Sequence, residues 1–262
     1  MHTFVICAYQ ESPYLEECIR SLLNQTVRSN ILIATSTPNK YIEKLAEKYR
    51  LSVRVHERGG LAGDWNYALQ YADTAYVTLA HQDDVYGKHY TEYILSGLKR
   101  SSRPLIAFTD YAELRDTASG MEYVKSNRLL RIKRLLLSPL RIPALWGSRF
   151  VRRRILSLGS AICCPAVTIN LENVDLPVFE NNMKSNIDWQ AWERISLSKG
   201  DFVYVPRIGM AHRIHGGSTT SGLIRDNGRK AEDLYMYRKF WPEWIAVFIE
   251  RFYQKSEASN QL

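Results

Sequence analysis

The sequence predicts an α/β fold, a Rossmann-like α/β/α sandwich around a mostly parallel central sheet, with a helical C-terminal extension. Three observations predict it. The first half of the 262-residue chain alternates short apolar runs with amphipathic ones, the pattern of parallel strands joined by crossover helices. The acidic segment His81-Gln82-Asp83-Asp84 follows directly on an apolar run, at the carboxyl end of a strand, where open α/β sheets bind ligands. With 45% hydrophobic residues, the chain is long enough for one large domain, or one domain with a small appendage.

The elements follow in order. Thr3 to Ala8 reads as a strand, and Ser12-Pro13 opens a helix with Ser as N-cap, Pro at the first helical position and Leu15, Ile19, Leu22 and Leu23 at helical spacing. Asn30 to Ala34 is a second strand, Thr35 to Asn39 a polar turn, and Tyr41 to Tyr49 a helix. A strand over Leu51 to Val55, a helix over Asp64 to Ala72 and a strand over Ala75 to Ala80 lead into His81. Leu105 to Thr109 is a further strand ending in Asp110. The second half offers an apolar segment, Ile162 to Ile169, a helix over Asp188 to Lys199, a strand over Phe202 to Val205 and a polar loop over Ala211 to Gly222. The stretch from Asp226 to Phe252 is mostly helical and interrupted by Pro242. No repeat or low-complexity linker divides the chain.

The net charge of +8 suggests an anionic partner. Its excess is local: no acidic residue lies between Glu122 and Glu172, whereas Lys125, Arg128, Arg131, Lys133, Arg134, Arg141, Arg149, Arg152, Arg153 and Arg154 all do. From Ser126 to Leu137 the cations interleave with leucines and Ile132, a cationic amphipathic helix that suits either an anionic membrane interface or a solvated face packed by its leucines. The aromatic run from Phe240 to Ile249 is open to packing, dimerisation or lipid contact, but its length and Glu243 argue against a membrane span. Cys7, Cys18, Cys163 and Cys164 lack metal-finger spacing and read as reduced, buried thiols. The chain enters a strand at once, without a secretory leader pattern, so the expected location is cytoplasmic, with peripheral contact at the inner membrane face.

The adjacent carboxylates of Asp83 and Asp84, at a strand-to-loop junction, suit a hard divalent cation that fills its shell with phosphate oxygens and water. Read alone, the pair suits a solvated acidic turn capping the next helix better than a metal site, and only its context favours the cation. Arg213 and His215, two apart in an extended stretch, project to one side, where they can meet a diphosphate or metal together, and Gly216-Gly217 permits close approach or lid motion.

On these residues the chain resembles the family 2 glycosyltransferases of GT-A type, over most of the first 115 residues with weaker echoes to about residue 240. The run Val5 to Thr26 resembles the family's first strand and helix. The segment Gly63 to Leu69 resembles its Ala-Arg-Asn helix start, with Asn66 fifteen positions before His81, as the family's Asn precedes its Asp-x-Asp motif. The resemblance implies an inverting, metal-dependent transfer from a nucleotide diphosphate sugar, with Mn²⁺ or Mg²⁺ as cofactor and cell-surface glycan assembly as the setting. It implies Asp83 and His215 as metal ligands, Asp188 as the base, and Ala8, Tyr9, Glu11, Ser36, Asp64, Asn66, His81, Gln82 and Arg213 as donor contacts. Three departures stand out. His81 replaces the first Asp of Asp-x-Asp, Trp65 replaces the Arg of Ala-Arg-Asn, and Thr35 to Asn39 lacks the family's base-reading carboxylate.

The implied organisation is a nucleotide-sugar-binding half over residues 1–115, an acceptor-binding half carrying the basic insertion over 116–225, and the helical extension over 226–262. Expected partners are the donor, a glycan or lipid-linked acceptor, an anionic membrane and a second copy of the chain, with no nucleic acid. A sugar nucleotidyltransferase would need a glycine-rich phosphate loop near the N-terminus, and Ala8 to Pro13 contains no glycine. A non-catalytic basic protein binding membrane or nucleic acid is the remaining alternative, and it would have no need of Asp83.

Overall fold

The computed structural model describes residues 1–117, 120–215 and 228–258. Its centre is one mixed sheet with strand order β3-β2-β1-β4-β8-β6-β9-β5, to which β7 adds beside β6. The first half is the parallel part: β1 (His2–Ala8), β2 (Asn30–Thr35), β3 (Ser52–Val55) and β4 (Tyr76–His81) pair in parallel and are linked by α1 (Leu15–Leu23), α2 (Lys40–Tyr49) and α3 (Gly60–Gln70). β1 is buried along nearly its whole length, as a central strand covered on both faces must be.

The second half departs from the expected mostly parallel sheet. β8 (Val167–Asn170) runs antiparallel to both β4 and β6 (Pro104–Thr117), β7 (Gly120–Val124) forms a hairpin on β6, and β5 (Val85–Tyr86) is antiparallel to β9 (Asp201–Ile214). Only β6 and β9 add a further parallel pair, so four of these eight pairings are parallel. Of these antiparallel pairs only β6–β7 is a direct return through a tight hairpin; the others join strands separated by helices. β6 crosses the 115/116 boundary without a break, and one apolar core joins the residues on both sides of it.

Helix boundaries moved for local reasons. α1 begins at Leu15, not at Ser12-Pro13: Ser12 closes a turn, its carbonyl accepting from Leu15 N at 3.2 Å and its hydroxyl from Tyr14 N at 3.3 Å. α3 begins at Gly60 instead of Asp64, because Gly60 takes φ +68 and turns the chain into the helix. α4 (Tyr90–Leu98) had no counterpart in the sequence reading. α5 (Arg128–Leu137) is capped by Asn127, whose side chain accepts from Leu130 N at 2.8 Å, and α6 (Arg149–Leu156) by Ser148. α7 (Ile187–Ser196) is shorter than expected, and α8 (Gly228–Arg238) and α9 (Glu243–Ala258) flank Pro242.

β9 is the largest difference. Pro206, which lacks an N–H, argues for a strand end at Val205. The strand instead continues to Ile214 across a bulge where the register against β6 jumps from Thr109↔Val205 to Asp110↔Ile208 and then to Tyr111↔Met210. Gly209 sits in that bulge, where a Cβ would come within 2.5 Å of the Thr109 hydroxyl, so only glycine fits. Residues 211–214 of the expected loop are therefore strand. Residues 216–222, including the glycine pair, lie outside the described residues, as do 226–227 of the expected helical stretch.

Candidate functional site

The site is built at the carboxyl ends of β1, β2 and β4. An open cleft of about 450 Å³, within the size range of ligand pockets, is lined by Gln10, Glu11, Ser36, Thr37, Pro38, Asn39 and Arg58. Its rim is held by specific bonds. Gln10 adopts φ +55, a conformation uncommon outside glycine, and its N–H donates to the Thr37 hydroxyl at 2.6 Å. Gln82 clasps the backbone of Tyr9 from both sides, accepting from its N–H at 3.0 Å and donating to its carbonyl at 2.9 Å. Gln82 therefore positions the end of β1. Of the expected donor contacts, Glu11 and Ser36 line the cleft, Tyr9 is exposed, and Ala8 is buried, leaving it backbone contacts only.

The carboxylate absent from the turn after β2 returns from α3. Asp64 accepts from the Ser36 hydroxyl at 2.8 Å through Oδ2 and from Gly59 N at 3.0 Å through Oδ1. Asn66, expected among the donor contacts, instead clasps the backbone of Phe179, donating to its carbonyl at 2.7 Å and accepting from its N–H at 3.0 Å. Both ends of its amide are engaged in joining α3 to the second half.

The acidic segment turns tightly, with Asp84 N donating to the His81 carbonyl at 3.1 Å. Donor atoms of His81, Asp83 and Asp84 lie within 4.8 Å of one another. Asp84 is fully buried, and its Oδ1 accepts from Arg213 N and from His212 Nδ1, each at 2.9 Å. Its Oδ2 and the Nε2 of His81 are buried without a hydrogen-bond partner. Two orphaned polar atoms in a cluster of carboxylates and imidazole fit a divalent cation, which would satisfy groups that otherwise carry an uncompensated desolvation cost. Burial holds His81 below the ordinary imidazole value, against the pull of Asp84 and Asp83. Burial acts the same way on His212, but there the charge and hydrogen bond of Asp84 prevail and raise it.

Trp65 and His81, two of the three departures from the family pattern, meet face to face: their rings stack with centroids 5.0 Å apart and planes 21° apart. Trp65 is buried, so it supplies apolar cover to the imidazole and no phosphate contact.

Arg213 and His215 do project to one side, onto Asp83, but their partners differ from those expected. Arg213 is fully buried: it donates to the Asp83 carbonyl at 2.8 Å and to Glu17 at 2.5 Å, and its guanidinium lies 4.3 Å from the Tyr14 ring centre. It braces the acidic turn from behind instead of facing a diphosphate. His215 Nε2 donates to Asp83 Oδ2 at 3.0 Å, which places it against the acidic segment. The exposed cation of the cleft is Arg58, which the sequence reading missed because nothing in the run after β3 distinguishes it from a solvated Arg. His212 was missed as well, since it was assigned to a loop.

Asp188 lies in the first turn of α7. Asn186 is the N-cap and makes no side-chain capping bond, while Asp188 Oδ1 accepts from Trp189 N at 2.7 Å. Burial pushes the Asp188 carboxyl up to about 6, partly offset by that amide and by Lys133. Burial first, then Asp84 and in smaller part Asp188, raise the Cys163 thiol. All four cysteines are free, with Cys18 and Cys164 buried and Cys7 and Cys163 partly so. Asp110 accepts from the Tyr204 hydroxyl at 2.6 Å and faces Arg134, which places it inside the protein's own network.

Known proteins share this architecture. The profile of Glycosyl transferase family 2 matches residues 3–157. Uncharacterized glycosyltransferases of Rickettsia conorii and Rickettsia felis are each 24% identical over 199 residues, covering 74% of this chain and 31% of theirs. The chain thus spans about a third of the length of these curated relatives. Among solved structures, S. aureus TarS 1-349 in complex with UDP-GlcNAc superposes with a TM-score of 0.60 at 15% identity, over 95% of this chain and 70% of that one. The mannosyltransferase PcManGT from Pyrobaculum calidifontis, in complex with GDP-Man and Mn²⁺, superposes with a TM-score of 0.62 at 12% identity, over 98% and 75%. At these identities the likeness establishes the fold, the GT-A-type α/β/α sandwich. The profile match covers more than half of the sequence, and with the acidic segment at the end of β4 it identifies the chain as a member of glycosyl transferase family 2.

Proposed function

We propose that the chain transfers a sugar from a nucleoside diphosphate donor to an acceptor hydroxyl, with inversion at the anomeric carbon, in the assembly of cell-surface glycans. The observation that carries the reading is the convergence of His81, Asp83 and Asp84, with two unpartnered buried atoms, beside the cleft at the ends of β1 and β2. The solved structures similar in fold, TarS with UDP-GlcNAc and PcManGT with GDP-Man and Mn²⁺, support a nucleotide-sugar donor and a divalent metal.

Each group has a task in this reading. Glu11, Ser36 with Asp64 behind it, Thr37 and Arg58 receive the nucleotide. Asp83, oriented by His215, and Asp84, fixed by His212 and the Arg213 amide, present carboxylates to the cation together with His81. A divalent ion bound there neutralises the diphosphate and stabilises it as leaving group. Asp188 takes the proton of the acceptor hydroxyl as its oxygen bonds to the anomeric carbon, while the bond from that carbon to the diphosphate oxygen breaks and its electron pair leaves with the diphosphate. A carboxyl raised to about 6 is matched to this task, being ionised at neutral pH and still basic enough to accept a proton. The acceptor is a glycan or a lipid-linked saccharide, met at the cytoplasmic membrane face, and a second copy of the chain is compatible with the reading.

The test is incubation with a panel of nucleotide sugars and Mn²⁺ or Mg²⁺, following donor hydrolysis and metal-dependent nucleotide binding. Asp83→Ala should abolish metal-dependent binding, whereas Asp188→Asn should bind donor normally and lose transfer by roughly 10²–10⁴-fold. Wild-type binding in Asp83→Ala, or unchanged turnover in Asp188→Asn, refutes the assignment.

A further inference from the structure

α5 is apolar on both of its faces. Leu130 and Leu137 are buried in the core, Lys133 donates to the Tyr111 hydroxyl at 2.8 Å, and Arg134 donates to the carbonyls of Tyr111 and Lys125 at 3.0 and 2.8 Å. On the opposite side, Leu129, Ile132 and Leu135 are 44%, 46% and 71% exposed. At about 100° per residue these three fall within an arc of about 120° that also contains the exposed Arg128, with exposed Arg131 at its flank. A solvated helix face is ordinarily polar, and this one is aliphatic with cations set into it.

Along the sequence, the charge around α5 has one sign. Residues 123–171 contain no Asp or Glu. Lys133, Arg134, Arg152 and Arg153 of the basic stretch make protein contacts, whereas Arg128, Arg131, Arg141 and Arg149 are exposed. Ile142, beside Arg141, is 55% exposed. No described helix is long and apolar enough to cross a membrane, so contact with a bilayer would be made along its surface.

We propose that the outward face of α5 docks on an anionic lipid bilayer, with Leu129, Ile132 and Leu135 in the interface and Arg128 and Arg131 among the headgroups. Aliphatic side chains gain from hydrocarbon and arginines from anionic headgroups, and this face offers both together. A second copy of the chain fits the face less well: a two-fold contact would bring Arg128 and Arg131 of both copies together with no acidic residue to meet them. Nucleic acid would satisfy the arginines and leave the three aliphatics in water. The inner side of α5 meets the site: Lys133 bonds the Tyr111 hydroxyl at 2.8 Å, and the Tyr111 ring stands edge-on to His212, the partner of Asp84. One helix therefore joins the lipid surface to the acidic segment, and the acceptor class that follows is a saccharide anchored in the bilayer. The acceptor class rests on the glycosyl-transfer reading; the docking itself does not.

Co-sedimentation with vesicles of phosphatidylcholine alone or with added phosphatidylglycerol tests it, at low and high salt. The full chain should partition to the anionic vesicles at least about tenfold more strongly, and less so at high salt. Leu135→Glu should lose this binding, and Arg128→Glu with Arg131→Glu should remove its dependence on anionic lipid. All should melt as the wild type does and hydrolyse soluble donor unchanged. Equal partition to both vesicles, or wild-type binding by Leu135→Glu, overturns the proposal. So does a solution dimer that Leu135→Glu dissociates, or binding to an oligonucleotide with no binding to vesicles. Lipid binding in a protein that turns over no nucleotide sugar keeps the docking surface and removes only the acceptor assignment.

Discussion

His81 stands where the resembled Asp-x-Asp motif has its first Asp, and Trp65 stacks on its ring. An imidazole in the place of a carboxylate removes one negative charge from the cluster, and the stacked indole covers the ring that replaces it. Nitrogen donors suit Mn²⁺ and later transition metals better than Mg²⁺, which prefers oxygen. His81→Asp should therefore shift the balance toward Mg²⁺ by about tenfold relative to Mn²⁺. Calorimetric titration of each metal in the presence of nucleoside diphosphate reads this without turnover, and an unchanged Mn²⁺/Mg²⁺ ratio would show that the imidazole is no ligand. His81 was legible in sequence because its spacing from Asn66 is fixed. Its partner was not: Trp65 reads as an aromatic on a helix until α3 and β4 are seen side by side.

At the scale of elements, α7 is held by α8. The loop before α7 presents three successive amides, and Glu232 accepts from all of them, Lys184 N at 2.7 Å, Ser185 N at 2.9 Å and Asn186 N at 3.0 Å, and from the Ser185 hydroxyl at 2.5 Å. Asn186 in turn donates to Asp233 at 2.7 Å. A helix whose N-cap makes no capping bond is thus capped from another helix. Glu232→Ala should lower kcat while leaving donor affinity intact, because it loosens Asp188 and leaves Asp83 alone, and should cost about 1–3 kcal/mol of stability. Glu232→Gln should restore part of both. A fall in donor affinity equal to the fall in kcat would mean general unfolding of the site. Sequence patterning could not reveal this clamp, because a Glu in an exposed helical stretch carries no mark of a partner 46 residues away. The same holds for β9, whose continuation past Pro206 depends on a bulge, and on Gly209 fitting against Thr109, features set by β6. The parallel half was legible because each strand there carries its own apolar run, whereas the second half is defined by pairing.

Across the whole molecule, the sheet carries the candidate site at one end and a buried polar network at the other. At the start of β1, His2 is buried, with Nδ1 paired to the Ser29 hydroxyl at 2.8 Å and Nε2 to the Thr78 hydroxyl at 2.9 Å; Thr78 pairs with Thr168 at 2.6 Å, and Thr168 with the Tyr90 hydroxyl at 3.2 Å. The network joins β1, β4, β8 and α4. Burial, with a smaller contribution from the N-terminal charge, lowers His2 from 6.5 to about 3. The unfolded chain therefore binds the extra proton first, so the stability His2 contributes is complete above pH 6.5 and is lost as pH falls toward 3. Asp188 has the opposite sign. Its carboxyl rises from 3.8 to about 6 on folding, so it costs stability above pH 6, and the cost disappears as pH falls below 3.8. At neutral pH that cost is on the order of 3 kcal/mol, the direction expected when a base is kept in an apolar setting. Asp188→Asn should then melt higher than the wild type at pH 7.5, by about 6–12 °C, with the gain gone at pH 3.5. In the Asp188→Asn background, His2→Gln should flatten the loss of melting temperature between pH 7 and pH 4, since glutamine can pair with both hydroxyls and does not titrate. Parallel pH profiles for the single and double variants would place the acid sensitivity elsewhere, whereas a flattened one locates it at the end of the sheet remote from the site.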